Sequence, residues 1–402
     1  MDGNDRAIAG LVTVAHAMVH VYELSIPIFV TIWLTEFTTT AATLGVLVTV
    51  GMAFFGIGAL PGGVLADHYS AKRLIRYCLV GMAGSFLVLG VAPSLFGVAL
   101  ALALWGLAAS VYHPAGLSLI SNGVTERGRA FAYHGMAGNL GIALGPFATA
   151  LLLVRFEWRT VALVLAAPAL LAAVVATRVD VDEYAATDAD AQARDADRPT
   201  SLREFGATTT RLFSGAFALV FLVVVCSGLY YRGVLTFLPD LLAGLPALRA
   251  VTLGDLGTPA RYLYAALLMV GVAGQYVGGR LTDVVAPSRG LVAAFAALAV
   301  IALAFMPLAS AGTVPLLLAS ALLGFLLFLV QPFYQAAVAE TTPSGARGVS
   351  YGYTYLGAFG VGALGATVAG TILTYGTPTV LFAALAGFAV VAAGAALVLA
   401  TR

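Results

Sequence analysis

Apolar runs recur along the chain at 8–34, 43–66, 74–92, 95–120, 130–154, 158–177, 213–239, 262–283, 290–309, 313–338, 348–374 and 378–400. Short breaks rich in glycine, proline and charge separate them. An α-helix crosses a bilayer in about 20 apolar residues, and each run approaches or exceeds that length. Stretches such as LVFLVVV at 219–225 are apolar on every side, so the alternation of a membrane β-barrel is absent. Backbone groups in lipid must bond within their own segment, which makes the runs helices. The pattern predicts an all-α polytopic membrane protein with twelve transmembrane helices. The long polar stretch 178–212 is rich in Asp and Ala and poor in large apolar residues. It reads as a flexible cytoplasmic linker between a six-helix bundle at 1–177 and another at 213–402.

Composition agrees with that pattern. The 402 residues are 61% hydrophobic and 10% charged, where soluble domains run at about 45–50% and 25%. These values exclude a water-soluble domain, a disordered chain and a nucleic-acid binder. A net charge of +1 selects no acidic or basic partner. Cys78 and Cys226 sit inside apolar runs and read as small buried hydrophobes. With the N-terminus inside, the inner segments hold most of the Lys and Arg, and only Arg155, Arg159, Arg249 and Arg261 fall outside. That bias places both termini in the cytoplasm and the protein in the inner membrane. The acidic MDGNDR start runs into the first span with no cleavable signal.

The two halves repeat. GGVLAD at 62–67 matches GGRLTD at 278–283. Gly106, His113, Pro114, Arg129 and Tyr133 fall on Gly324, Gln331, Pro332, Arg347 and Tyr351 at one constant offset. A parallel repeat of six-helix halves is an organisation of secondary transporters.

These features resemble the major facilitator superfamily over essentially the full chain. The loop GVLADHYSAKR at 63–73 is similar to that family's G-x-L-x-D-R-x-G-R-R signature, through Gly63, Asp67, Lys72 and Arg73, and departs from it at His68 and Ser70. Gly141, Gly145 and Pro146 are similar to the G-x-x-x-G-P motif of the family's antiporters. Within the family, VYHP at 111–114 and the Ala15–His16 pair resemble the fosmidomycin-resistance-type efflux branch. His20 and Ala115 stand where that branch carries acidic residues. The resemblance implies two pseudo-symmetric bundles and a central cavity lined by spans 1, 4, 7 and 10. It also implies a gating role for Asp67 with Lys72 and Arg73.

Ionisable groups inside a membrane cost about 2.5–3.5 kcal/mol each on insertion scales and default to functional candidates. His16, His20 and Glu23 lie in span 1, spaced to share one helix face. Tyr112 and His113 lie in span 4, Tyr230, Tyr231 and Arg232 in span 7, and Gln331, Tyr334 and Gln335 in span 10. Imidazoles change charge near neutrality, so the span 1 face is a candidate for proton coupling. Interhelix hydrogen bonding and a metal site are the other readings; the metal reading needs His113 or His134 as a further ligand. Arg232 stays charged and must be paired or meet an anion, with Glu23 as a candidate partner. At most one of Tyr230 and Tyr231 can share its face.

Pro114 and Pro332 each remove a helix hydrogen bond and are candidate hinges, with Gly145 and Pro146 in span 5. Asp67 and Asp283 end spans 2 and 8 and can latch the inner gate onto Arg129 or Arg347. The H-E-x-x-H of intramembrane zinc proteases and the nucleotide-binding P-loop are both absent, so the expectation is not an enzyme and not an ATP-driven pump. The expected protein is a monomeric secondary transporter without a cofactor. Its partners are the lipid bilayer, protons and a small organic, anionic solute, exported by alternating access. A metal-ion or metal-chelate transporter using the His16, His20 and Glu23 face is the alternative, as is a solute importer or uniporter.

Overall fold

The computed structural model describes residues 1–186, 202–251, 253–343 and 346–401, without the side chains of Asp67, Leu202 and Arg347. Residues 187–201 of the expected linker lie outside the described residues, as do the gating roles assigned to the Asp67 and Arg347 side chains.

Among the described residues, twelve helices are long and apolar enough to cross a membrane. In chain order, spans 1 to 6 are Gly3–Glu36, Ala41–Ala66, Ala71–Gly90, Leu95–Gly123, Arg127–Leu152 and Trp158–Arg178. Spans 7 to 12 are Phe217–Leu235, Pro259–Leu281, Pro287–Ser310, Thr313–Thr341, Val349–Tyr375 and Pro378–Ala400. Each coincides with one of the apolar runs, and no strand occurs among the described residues. Local chemistry sets the starts. Pro259, Pro287 and Pro378 occupy the first turn, where a missing N–H costs nothing. Ser70, Ser94 and Thr377 cap spans 3, 4 and 12 by accepting from Arg73 N, Gly97 N and Val380 N.

Two local departures from the sequence pattern have physical causes. The run at 213–239 is not one helix. Span 7 stops at Leu235, and Pro239 opens a separate short helix, Leu238–Gly244. The end of the segment read as a flexible linker is helical, over Leu202–Phe213. Its face docks on span 11: Thr209 and Tyr353 share a 3.2 Å hydroxyl hydrogen bond, and the Phe213 and Tyr353 rings meet edge to face at 5.0 Å.

The described residues form two compact units, one of Met1–Ser25 and Val50–Arg198, the other of Ile26–Thr49 and Pro199–Arg402. Spans 1 and 2 therefore each divide between them. In the second unit Ala42 N donates to Thr374 Oγ1 at 2.9 Å, and Thr49 Oγ1 donates to the Ala363 carbonyl at 2.9 Å. The repeat reappears as packing. A Cβ on Gly106 would collide with the Gly51 carbonyl, and one on the matching Gly324 would collide with the Leu267 carbonyl. In each half, the fourth helix lies against the second at a position only glycine permits.

Span 4 is interrupted by a turn at Val111, between helices Leu95–Ser110 and Tyr112–Gly123. Span 10 is unbroken although Pro332 occupies the position matching Pro114.

Candidate functional site

In the first unit, side chains from three helices converge. His16, His20 and Glu23 come from span 1, Tyr112 and His113 from span 4, and His134 from span 5; all are buried. The three span 1 groups share one helix face, as their spacing requires. His16 fits here because Gly138 faces it: a Cβ on Gly138 would lie 2.5 Å from His16 Cε1.

The contacts form a hydrogen-bonded chain. His16 Nδ1 donates to the His134 carbonyl at 2.7 Å, since a carbonyl can only accept. His16 Nε2 meets His20 Nε2 at 3.1 Å, and His20 Nδ1 meets Glu23 Oε2 at 2.5 Å. Each of these two gaps must hold a proton, because facing lone pairs at such separations repel. One proton per gap, with the one on His16 Nδ1, leaves His16, His20 and Glu23 with net charge zero. They then hold one proton more than two neutral rings beside an ionised carboxylate.

The remaining aromatic groups lock that chain in place. The His16 and His134 rings stack at 3.9 Å and 7°, and His113 meets His16 edge to face at 5.1 Å. The Tyr112 hydroxyl donates to the Val12 carbonyl at 2.5 Å and lies 3.2 Å from His134 Nδ1. Its single hydrogen goes to the carbonyl, so His134 Nδ1 is the donor in the second contact.

In the second unit, Arg232 is buried, and its guanidinium carbon lies 5.1 Å from the Tyr231 ring centre and 5.5 Å from that of Phe359. Phe359 belongs to a π-helical turn, Leu356–Val361, inside span 11. Such turns shift the register of a helix by one residue and recur at functional sites. Tyr231 also packs edge to face on Phe328 of span 10 at 5.8 Å. Tyr230 points elsewhere, donating its hydroxyl to the Leu298 carbonyl of span 9 at 3.2 Å. Only Tyr231 shares the Arg232 face. On span 10, Gln331 and Tyr334 are half-buried and Gln335 is exposed.

At the ends expected to be cytoplasmic, Glu183 is a residue the sequence did not mark. Its carboxylate accepts from Ala71 N at 2.7 Å, from Lys72 N at 3.2 Å and from the Ser70 hydroxyl, capping span 3. Lys72 also lies 4.0 Å from Asp180. Asp5 does the same for span 5, accepting from Thr125 N at 2.9 Å and Glu126 N at 3.1 Å. Arg129 Nε donates to the Tyr133 hydroxyl at 3.0 Å, and its guanidinium lies 3.8 Å from Glu126. Arg73 and Asp283 are exposed, and Gly63 is half-buried. Gly145 and Pro146 are buried in an unbroken span 5, where a Gly145 Cβ would lie 2.6 Å from the Val21 carbonyl.

Comparison with known proteins places this architecture. Residues 11–366 match the family model described as Major Facilitator Superfamily. A stretch of 124 residues, 30% of this chain, is 37% identical to the puromycin resistance protein pur8 of Streptomyces alboniger. It spans about a quarter (24%) of that protein's length. Among solved structures, a bacterial homologue of the human lysosomal transporter Spinster, inward-facing and unoccupied, superposes with a TM-score of 0.76 at 16% identity, over 100% of this chain and 98% of that one. A peptide transporter POT in complex with alafosfalin gives 0.77 at 14% identity, over 99% and 95%. The nucleoside transporter NupG gives 0.75 at 14%, over 98% and 99%. At these identities the likeness is one of fold.

Proposed function

The chain belongs to the Major Facilitator Superfamily, and from that premise we propose that it exports a small organic anion in exchange for protons by alternating access. It is a twelve-span membrane transporter of a small-molecule solute, not an enzyme. The observation that carries the coupling reading is the His16–His20–Glu23 chain and its proton count. Loss of the additional proton leaves a ring nitrogen lone pair facing another lone pair, and a contact must break. A proton taken up on one side of the membrane and released on the other thereby changes the local structure of span 1. Export is supported by the partial likeness to an antibiotic-resistance protein and by the resemblance of His16 and of 111–114 to an efflux branch of the family.

The solute reading rests on Arg232. A guanidinium held against two aromatic faces keeps its charge and its planar fork, which suits a carboxylate, phosphate or phosphonate. Tyr231, Gln331 and Tyr334 are offered as further polar contacts, and Pro114 and Pro332 as the points about which spans 4 and 10 bend. Asp67, Lys72 and Arg73 are assigned to the inner gate, with Glu183 added as the group that orders the start of span 3. Bundles at 1–177 and 213–402, both termini in the cytoplasm, an inner-membrane location and a monomeric state complete the proposal.

The test is flux into proteoliposomes under an imposed pH gradient, with fosmidomycin as an anionic phosphonate and puromycin as a cation. Fosmidomycin is expected to accumulate against its own gradient, and a protonophore to abolish that accumulation. Flux indifferent to the pH gradient contradicts the coupling. Transport of puromycin alone contradicts the anion assignment.

A further inference from the structure

We infer that His16, His113 and His134 form a binding site for a divalent transition-metal ion, with Zn²⁺ the ion their chemistry suits best. One ring nitrogen from each lies within 4.8 Å of the others, and all three side chains are buried. An all-imidazole donor set favours Zn²⁺, Cu²⁺ or Ni²⁺ over Mg²⁺ or Ca²⁺, which take oxygen ligands. Tetrahedral zinc with Zn–N bonds of about 2.0–2.1 Å brings nitrogens to about 3.3 Å of one another, so the three must close in by up to about 1.5 Å as the rings reorient.

The hydrogen bonds around the rings strengthen the assignment. A metal-bound histidine typically donates its other N–H to a carbonyl or similar acceptor, which fixes the tautomer. His16 Nδ1 donates to the His134 carbonyl, and His134 Nδ1 to the Tyr112 hydroxyl. Both arrangements leave Nε2 as the lone-pair nitrogen of its ring, although that of His16 now faces His20 Nε2 at 3.1 Å. His113 supplies the third nitrogen, leaving a fourth position for water or another small ligand.

Two adjustments follow from occupancy. The metal must lie in the plane of each ring, so one member of the stacked His16–His134 pair turns out of the stack. His16 Nε2 must also release its contact with His20 Nε2. Metal occupancy and the His16–His20 hydrogen bond exclude each other. The inference rests on this histidine geometry and stands apart from the coupled-export reading.

The experiment is Zn²⁺ titration calorimetry on the detergent-purified full chain, freed of any affinity tag. One ion per chain is expected, with affinity falling about tenfold or more in His113→Ala and in His134→Ala. His68→Ala, at the exposed histidine just past span 2, is expected to bind as the wild type does. No binding by the wild type, undiminished binding in both cluster variants, or loss in His68→Ala overturns the inference. If the cluster variants fail to fold, zinc-edge X-ray absorption of the loaded wild type decides. An imidazole shell at about 2.0–2.1 Å supports the site, and a shell of oxygen alone overturns it.

Discussion

In the first unit His16, His20 and Glu23 are hydrogen-bonded to one another, whereas in the second aromatic rings flank Arg232. The difference follows from side-chain chemistry. Imidazoles and a carboxylate each donate or accept according to protonation, so they can satisfy one another while sharing a mobile proton. A guanidinium only donates and never loses its charge, so an anion is its strongest partner and a π-face a favourable one. On the proposed reading, the contrast pairs proton exchange with the His16–His20–Glu23 chain and solute recognition with Arg232.

The largest expected effect separates the two regions by ligand binding. Arg232→Ala should weaken fosmidomycin binding by about 1.5–3 kcal/mol, roughly tenfold to a hundredfold in Kd, by calorimetry. Arg232→Lys should not restore it, because an ammonium lacks the planar fork.

Gly145→Ala probes how tightly the first unit is closed around its chain. The added Cβ meets the Val21 carbonyl at 2.6 Å, so a destabilisation of about 1–3 kcal/mol is expected as a lowered Tm in detergent. Phe359→Leu retains bulk in the second unit but removes a π-face from Arg232. A loss of about 0.5–2 kcal/mol in anion affinity is expected, with the first unit's proton exchange unchanged. The smallest effect is Tyr112→Phe. It deletes the hydroxyl that holds Val12 and His134, at a cost of about 0.5–1.5 kcal/mol seen as a small fall in Tm.

Much of this molecule was legible from side-chain type and spacing. The spans were readable because lipid forces apolar residues onto every helix face, leaving Gly, Pro and charge to mark the ends. His16, His20 and Glu23 were readable as one face because helical geometry is local. Their meeting with His134 was readable only as one candidate beside His113, since it depends on span 5 crossing span 1 at Gly138, a long-range contact no local period encodes. Phe359 was hidden for a similar reason: the π-helical turn changes which residue faces Arg232, and a 3.6-residue period assigns it elsewhere. Glu183 was lost in an Asp- and Ala-rich stretch that composition marks as linker, although its carboxylate caps span 3. The helix Leu202–Phe213 was missed on the same grounds.

The most direct test of the central assignment compares wild type with Glu23→Gln in proteoliposomes, using labelled fosmidomycin in two modes. Gln keeps the size and hydrogen-bonding capacity of the side chain but cannot release the proton. The expected result is that Glu23→Gln retains solute counterflow in the absence of a pH gradient and loses accumulation driven by an imposed one. Gradient-driven accumulation by Glu23→Gln equal to the wild type would contradict the account.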